Sequence, residues 1–236
     1  MKRILVISDI HGCVTELKEL LHKAKFQADE DQLILLGDYV DRGPNSLETV
    51  EHVMFLVREQ GAIALRGNHD QRFIEVMNGT DDLTEMKFFE HGGIQTFQSF
   101  SGSKTLDLKT SKERIRANCS EHLAFLRELP LYYENETHIF VHAGLNPAYK
   151  DWKTQPERDF IWIRAPFVQH RTVVKKPVVF GHTTTHDIHG KPDVWFDTDK
   201  IGIDGGCAYG MQLNLLEIKG KHQYKTYSVP SKGSWK

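Results

Sequence analysis

Polar clusters that contain a carboxylate, an amide or a histidine stand directly after six short apolar runs of this chain. The clusters begin, in chain order, at Ser8, Gly37, Arg66, His142, Gly181 and Asp204. Glycine and aspartate are common turn formers, so turn chemistry alone would explain part of this pattern. It does not explain why four of the six clusters contain a histidine. We therefore interpret the set as a functional site built from several loops.

Six side chains in these clusters carry the donor atoms of a metal site. Three offer a carboxylate or amide oxygen and three offer an imidazole nitrogen: Asp9, His11, Asp38, Asn68, His142 and His182. A mixed oxygen and nitrogen set suits Mn²⁺, Fe or Zn²⁺ and does not suit Ca²⁺, which prefers oxygen ligands. Six ligands exceed one tetrahedral site but match two ions about 3.5–4 Å apart that share a carboxylate. Asp38 stands in the middle of the set and is the predicted bridge.

The apolar runs before the clusters must be the elements that position these side chains. They are short, rich in β-branched residues and end at glycine or polar residues, which is typical of buried strands. Asp9 and His11 are two residues apart in the chain. On an extended segment both side chains point the same way, so both can reach one ion.

Helical patterns separate the early strands. The apolar spacing of Leu17, Leu20, Leu21 and Ala24 is that of one helix face. A second helix is predicted from Asn45 to Gly61, with Asn45 and Glu48 as a capping box. Further predicted segments are helices over residues 71–77, 84–100 and 111–128 and late strands over 211–218 and 224–229. This order predicts one α/β domain over residues 1–236, with a mixed sheet or two sheets sandwiched between helices.

The composition excludes several classes of protein. The 236 residues are 39% hydrophobic, which is enough to bury a core. Lys and Arg number 30 and Asp and Glu number 32, so nucleic-acid binding through bulk positive charge is not expected. The apolar runs are too short for a membrane-spanning helix or a signal peptide. The three cysteines are far apart and fit reduced thiols, so we expect a cytoplasmic protein without a membrane or nucleic-acid partner.

The motifs together resemble those of a known family. The segments that carry the resemblance are Ser8-Asp9-Ile10-His11-Gly12, Gly37-Asp38-Tyr39-Val40-Asp41-Arg42-Gly43, Gly67-Asn68-His69-Asp70, His142-Ala143-Gly144 and Gly181-His182. They are similar to the signature of the calcineurin-like metallophosphoesterases. The Asp41-Arg42-Gly43 element is most similar to the compact bacterial and phage members of the PPP-type serine/threonine protein phosphatases. The resemblance covers most of the chain and implies two mixed β-sheets packed between helices, with a dinuclear and commonly Mn²⁺-dependent centre.

The resemblance also implies a role for each matching residue. His69 matches the histidine that protonates the leaving group, and Asp41 matches the carboxylate that orients it. Arg42 and Arg164 match two phosphate-binding arginines. The implied metal ligands are Asp9 and His11 on the first ion, Asp38 on both ions, and Asn68, His142 and His182 on the second. Departures from the family pattern, at Ser8, Asp70 and Ala143, affect none of these ligands.

The implied reaction is hydrolysis of a phosphomonoester by a hydroxide that bridges the two ions. Arginine forks would neutralise the phosphoryl oxygens, and His69 would protonate a poor alkoxide leaving group. The preferred function is a serine/threonine phosphoprotein phosphatase, and the alternative is a dinucleoside tetraphosphate hydrolase, which shares these motifs. We expect the segment from about residue 80 to 130, which would roof the cleft, to distinguish the two, although its sequence does not indicate which one it favours. A non-catalytic metal-bound scaffold is disfavoured because every motif is complete.

One segment repeats the first motif letter for letter. Asp187-Ile188-His189-Gly190 has the same residues as the cluster after the first strand. Thr183-Thr184-Thr185-His186 precedes it instead of an apolar run, and Lys191-Pro192 follows it. We predict a turn there, with His186 or His189 at the rim of the cleft at most.

Overall fold

The computed structural model describes residues 2–79, 81–104 and 107–235 and contains two five-stranded β-sheets. The strands in chain order are β1 (Arg3–Ile7), β2 (Asp31–Leu35), β3 (Ile63–Ala64), β4 (Tyr132–Glu134), β5 (Ile139–Val141), β6 (Val178–Phe180), β7 (Trp195–Phe196), β8 (Lys200–Gly202), β9 (Gln212–Lys219) and β10 (Gln223–Pro230). The first sheet has the order β10-β9-β1-β2-β3 and the second β4-β5-β6-β8-β7. Each sheet has three parallel strands, β1-β2-β3 and β5-β6-β8, with antiparallel strands beside them.

Helices connect the strands and cover the outer faces of the sheets. In chain order they are α1 (Val14–Lys23), α2 (Ser46–Gln60), α3 (Asn68–Asn78), α4 (Asp82–Phe88), α5 (Ile94–Ser101), α6 (Leu108–Asn118), α7 (Ser120–Glu128), α8 (Glu157–Trp162), α9 (Ala165–Val168) and α10 (Thr185–His189). A π-helical turn, Phe89–Gly93, joins α4 to α5. In the described part of the chain, no helix has both the length and the apolar character needed to cross a bilayer.

The alternation of side chains along β1 explains how the layers pack. Ile4 and Val6 point into the core between the two sheets, where they meet residues such as Phe140 and Val179 of the second sheet. Leu5 and Ile7 point the other way, into the larger core beneath the helices. A strand buried on both faces needs apolar residues at every position, which is why β1 has a continuous apolar run. The structure confirms the α/β arrangement of two mixed sheets between helices.

Several details of the predicted helices differ in the structure, and the helix predicted over 111–128 is divided at Cys119 into α6 and α7. Asn45 precedes α2, but within the described chain its side chain forms no capping hydrogen bond, so the predicted capping box is wrong. Its intended partner, Glu48, instead accepts from Lys18 Nζ at 2.9 Å. The helix predicted over 84–100 is interrupted at Gly92, whose φ of 99° ends the helical path.

Candidate active site

The loops that follow the parallel strands of both sheets meet in one pocket. Within the first sheet, the loop after β1 lies against the loop after β2, because Asp9 N donates to Gly37 O at 3.1 Å. The two sheets meet where His182 N donates to Asp9 Oδ2 at 2.9 Å. The resulting catalytic pocket has a volume of about 330 Å³. Its lining includes predicted site residues from four of these loops and the late segment: Asp9, Asp38, Arg42, His69, Arg164 and His182.

Unusual backbone conformations concentrate at this pocket. Seven described residues other than glycine have a positive φ, and all but Lys25 belong to the predicted site: Asp9, His11, Asp38, Asp41, Arg42 and His182. Left-handed conformations are disfavoured for residues with a Cβ and persist where the surrounding structure holds them. The loops that follow the strands therefore hold these residues in strained backbone conformations, which fix the directions of their side chains.

The Asp38 carboxylate lies at the centre of the predicted metal ligands. Its Oδ2 atom is 3.5 Å from His11 Nε2 and 3.4 Å from His142 Nε2. His11 Nε2 is also 3.9 Å from Asp9 Oδ1, and His142 Nε2 is 3.0 Å from Asn68 Oδ1. One oxygen thus faces both groups of ligands, as a bridging carboxylate would.

Backbone carbonyls determine which nitrogen of the two central histidines faces the pocket. His11 Nδ1 donates to Val40 O at 2.7 Å, and His142 Nδ1 donates to Leu36 O at 2.9 Å. A carbonyl can only accept, so each ring turns its Nε2 atom toward the pocket, where His11 Nε2 meets Arg42 Nη1 and His142 Nε2 meets Asn68 Oδ1. An Nε2 atom that exchanged this contact for an ion would become a ligand. Burial lowers the pKa of His142, but the Asp38 and Asp9 carboxylates outweigh it and raise this pKa to about 9. The electrostatic field of the carboxylates around His142 therefore favours a positive charge there.

His69 belongs to a buried chain of hydrogen bonds beside these ligands. Its Nδ1 atom donates to Asp41 Oδ2 at 2.6 Å. Asp41 Oδ1 in turn accepts from Thr96 Oγ1 at 2.7 Å, and the same hydroxyl accepts from Asp41 N at 2.8 Å. Burial and the Arg42 charge lower the pKa of His69, and burial raises the pKa of Asp41. The chain holds the ring with its Nε2 atom toward Arg42 and the pocket.

Two arginines provide positive charge at the pocket. Arg42 donates from Nη1 to His11 Nε2 and from Nη2 to His69 Nε2, the latter at 2.9 Å. Its guanidinium carbon is 4.8 Å from the centre of the Tyr209 ring, a cation–π contact. Arg164 lines the pocket from the junction of α8 and α9. The two arginines that we predict to hold phosphate together, here called the phosphate clamp, therefore lie at one pocket. Binding of phosphate by them remains a prediction.

Comparison with known proteins identifies the family. A model described as calcineurin-like phosphoesterase matches residues 2–204. The chain belongs to the calcineurin-like phosphoesterases. This calcineurin-like phosphoesterase is therefore a hydrolase of the metallophosphoesterase superfamily, which uses divalent metal ions.

Relatives of this phosphoesterase have two different activities in their names. Serine/threonine-protein phosphatase 1 of Salmonella typhimurium is 26% identical over 92% of this chain and 93% of its own length. An asymmetrical bis(5'-nucleosyl)-tetraphosphatase of Oceanobacillus iheyensis is 27% identical over 93% of this chain and 90% of its own. The solved structure of a candidate diadenosine tetraphosphatase has the same fold, with a TM-score of 0.69 and 22% identity over 98% of this chain and 95% of that one.

The site of this phosphoesterase has the chemistry that a pair of divalent ions requires. His182 Nε2 is buried and has no hydrogen-bond partner among the described residues. One ligand atom from each of Asp38, His142 and His182 lies within 4.8 Å of the others, and the same holds for His11, Asp38 and His69. The Asp38 and Asp9 carboxylates, which favour a positive charge at His142, would equally be stabilised by a bound cation. The residues present fit the metals that the family implies, although the ligand assignment itself remains a prediction.

Several residues of the site were not assigned a role from the sequence. The buried Asp70 carboxylate accepts from Asp38 N at 2.8 Å, from Tyr39 N at 2.9 Å and from Gly67 N at 2.9 Å. It thereby ties the loop after β2 to the start of α3. Its position inside the Gly67-Asn68-His69-Asp70 motif was a signal that could have suggested this role. Thr96 and Tyr209 had no such signal, because each meets the site through a contact distant in sequence.

The segment that repeats the first motif does not contribute a ligand. Residues 185–189 form α10 rather than the predicted turn, because Thr184 Oγ1 accepts from Asp187 N at 3.2 Å and caps the helix. His186 lines the rim of the catalytic pocket. His189 is directed away, with its Nε2 atom donating to Asp193 O at 3.1 Å.

Proposed function

We propose that this protein is a phosphomonoesterase that removes phosphate from phosphoserine and phosphothreonine side chains. The observation that supports this most is the buried chain of hydrogen bonds from Thr96 through Asp41 to His69. A serine or threonine alkoxide is a poor leaving group and needs a proton as the ester bond breaks. A phosphoanhydride releases a less basic oxygen and depends less on an acid. An oriented histidine beside the metal ligands therefore favours an alkyl phosphate as substrate.

The predicted site residues have distinct parts in this reaction. The two divalent ions, which we expect to be Mn²⁺, would supply a hydroxide nucleophile and positive charge when bound by the six predicted ligands. Arg42 and Arg164 would hold the phosphoryl oxygens through their planar forks. Once the Arg42 guanidinium turns to phosphate, His69 Nε2 is released to carry the proton for the leaving oxygen. Asp41 stabilises the charged ring while that proton is present.

A second candidate function is hydrolysis of a dinucleoside tetraphosphate. A tetraphosphatase relative aligns over nearly the whole chain, and its identity of 27% is similar to that of the phosphatase relative at 26%. The predicted metal ligands and the two arginines do not separate the two substrates, since both present a phosphoryl group to them, and the oriented His69 is the feature that favours the ester.

The two substrates can be compared directly. The purified protein with added Mn²⁺ would be given a phosphoserine peptide and a dinucleoside tetraphosphate in parallel reactions, with the products separated by chromatography. We expect release of inorganic phosphate from the peptide with the higher kcat/KM. A higher kcat/KM on the tetraphosphate, with nucleotide products, would instead assign the second function.

A further inference from the structure

A second and larger cavity lies beside the catalytic pocket. Its volume is about 560 Å³, compared with about 330 Å³ for the pocket. One wall is α3, the helix that begins with Asn68 and His69, and another is α8, which leads to Arg164. Helix α4 contributes Thr84 and Lys87. The same elements that present the catalytic side chains therefore also enclose this cavity.

The cavity has an excess of positive charge. Four cationic side chains line it: Arg66, Arg72, Lys87 and Arg158. We call it the cationic cavity. Its acidic residues are Glu75 and Glu157, and no ion pair joins any of the four cations to a carboxylate within the residues described. In a chain with a net charge of −2, a local group of unpaired cations indicates a site for an anion.

Two of these guanidinium groups have unsatisfied donors. Arg72 Nη1 and Arg66 Nε are buried, and neither has a hydrogen-bond partner in the part of the chain that is described. A buried donor without a partner costs free energy, and native structures contain few of them. The Arg72 guanidinium contacts the face of Trp162, whose ring centre is 4.8 Å away. An anionic ligand would compensate the charge that this arrangement leaves unpaired.

Trp162 connects the cationic cavity with the catalytic pocket. Its ring centre is 6.0 Å from that of His182, a predicted metal ligand, so one aromatic side chain separates Arg72 from the metal site. Burial lowers the pKa of Arg72, while the Asp41 and Asp38 carboxylates oppose that effect. The charge of Arg72 is thus within electrostatic reach of the Asp41 and Asp38 carboxylates. The Trp162 ring therefore lies between the lining of the cavity and that of the pocket.

We propose that the cationic cavity binds a second phosphate group of the substrate molecule whose first phosphate is hydrolysed in the catalytic pocket. This inference rests on the proposed phosphoesterase function and extends it to the class of substrate. Arginine forks bind phosphate oxygens in pairs, and a lysine adds a mobile point charge. A doubly phosphorylated peptide and a dinucleoside tetraphosphate both offer such a group, and the experiment distinguishes them.

The test uses Lys87 and Arg158, because both side chains are exposed and can be changed without disturbing the core. The double variant Lys87→Gln with Arg158→Gln is compared with wild type, and Arg171→Gln is the matched control, since Arg171 is exposed and outside both cavities. Three ligands are measured as competitors of p-nitrophenyl phosphate hydrolysis: a peptide with one phosphoserine, the same peptide with two, and a dinucleoside tetraphosphate. Inhibition constants report binding whether or not the ligand is cleaved.

We expect the double variant to raise the inhibition constant of a ligand with a second phosphate by about fivefold per lost charge, or roughly 25-fold in all. The constant for the singly phosphorylated peptide should change less than about twofold, and the loss should shrink at high salt because exposed charges are screened. The control variant should behave as wild type. If the inhibition constant of the doubly phosphorylated peptide rises, the second phosphate belongs to a phosphoprotein substrate. If the inhibition constant of the tetraphosphate rises, the second phosphate belongs to a polyphosphate chain.

The outcome separates this proposal from the proposed function. If only the tetraphosphate responds and no phosphopeptide is hydrolysed, the cavity proposal stands and the phosphoprotein function fails. If the inhibition constants of one-phosphate and two-phosphate ligands change equally in the double variant, the cavity does not bind a second phosphate. That result would overturn the proposal even in an active phosphoprotein phosphatase.

Discussion

Thr96 would orient the proposed acid, His69, through the Asp41 carboxylate rather than by touching substrate. Its hydroxyl donates to Asp41 Oδ1 at 2.7 Å, and Asp41 accepts from His69 on its other oxygen at 2.6 Å. Without the hydroxyl, the carboxylate can rotate and the imidazole loses its fixed direction. Thr96 is therefore a positioning residue whose effect should depend on how much the leaving group needs a proton.

We predict that Thr96→Val lowers kcat on an alkyl phosphate by about tenfold, a part of the 10²–10⁴-fold that a general acid usually contributes. The loss should be smaller on p-nitrophenyl phosphate, whose leaving group needs little protonation. Thr96→Ser keeps the hydroxyl and should restore most of the rate. Steady-state kinetics on both substrates measure this. An equal loss on both would mean that Thr96 supports the fold and not the acid.

Arg42 is held in place by contacts with His11, His69 and the ring of Tyr209. A clamp on phosphate needs the planar fork, whereas a surface ion pair needs only the charge and contributes about 0–1 kcal/mol. We therefore predict that Arg42→Lys lowers kcat/KM by about tenfold or more and weakens inhibition by inorganic phosphate. Arg164→Lys should act in the same direction. Unchanged phosphate inhibition in either variant would remove that arginine from the clamp.

At the scale of elements, Arg3 ties three strands of the first sheet together. Its guanidinium on β1 donates to Asp31 on β2 at 2.7 and 2.6 Å and to Glu217 on β9 at 3.2 Å. Burial alone would raise the pKa of Asp31, but the hydrogen bonds from Arg3 and from Gln27 N, together with the Arg3 charge, outweigh it and lower this pKa. A carboxyl with a lowered pKa stabilises the fold above its ordinary range, near 3.9, and this stability is lost as the pH falls through the lowered value.

We predict that Arg3→Met lowers the free energy of unfolding by about 2–4 kcal/mol at neutral pH, because it leaves the buried Asp31 carboxylate without its cation and Glu217 with Lys219 alone. The difference from wild type should shrink below the ordinary carboxyl range, where both acids are protonated. Denaturant unfolding at several pH values measures this. Lys18→Met, which breaks an exposed pair with Glu48, should cost less than about 1 kcal/mol. A difference independent of pH would contradict the ion-pair explanation.

The strands and the site loops could be predicted because local sequence patterns indicate both. Apolar runs ending at glycine and polar residues predicted β1, β2 and β5, together with the clusters that follow them. Helix α3 was predicted too short, because Asn68 and His69 are polar and resemble loop residues in sequence. The contact between Asp41 and Thr96 joins residues 55 apart, and no local period encodes such a pairing. The roof of the site therefore required the structure.

For the whole molecule, the predicted metal site is a junction between the two sheets. Asp9, Asp38 and their neighbours follow strands of the first sheet, whereas His142 and His182 follow strands of the second. Bound ions would join both sets of loops, and the buried carboxylates would gain a partner for their charge. A ligand that binds only the folded state stabilises it by about 2.7 kcal/mol at 100 times its Kd. Metal binding should therefore be visible in the stability of the entire domain.

We predict that Mn²⁺ in such excess raises the Tm by about 5–10 °C over chelator-treated protein and that metal analysis finds close to two ions per chain. His182→Asn removes a predicted metal ligand that follows a strand of the second sheet. The rise in Tm on adding Mn²⁺ should therefore fall to half or less in this variant. His189→Asn changes the histidine of the repeated motif, which bonds to Asp193 O instead, and should keep the full shift. Differential scanning calorimetry of the three proteins, with and without Mn²⁺, measures these values. A full shift in His182→Asn, or a lost one in His189→Asn, would show that the ions do not join the sheets as the ligand assignment requires.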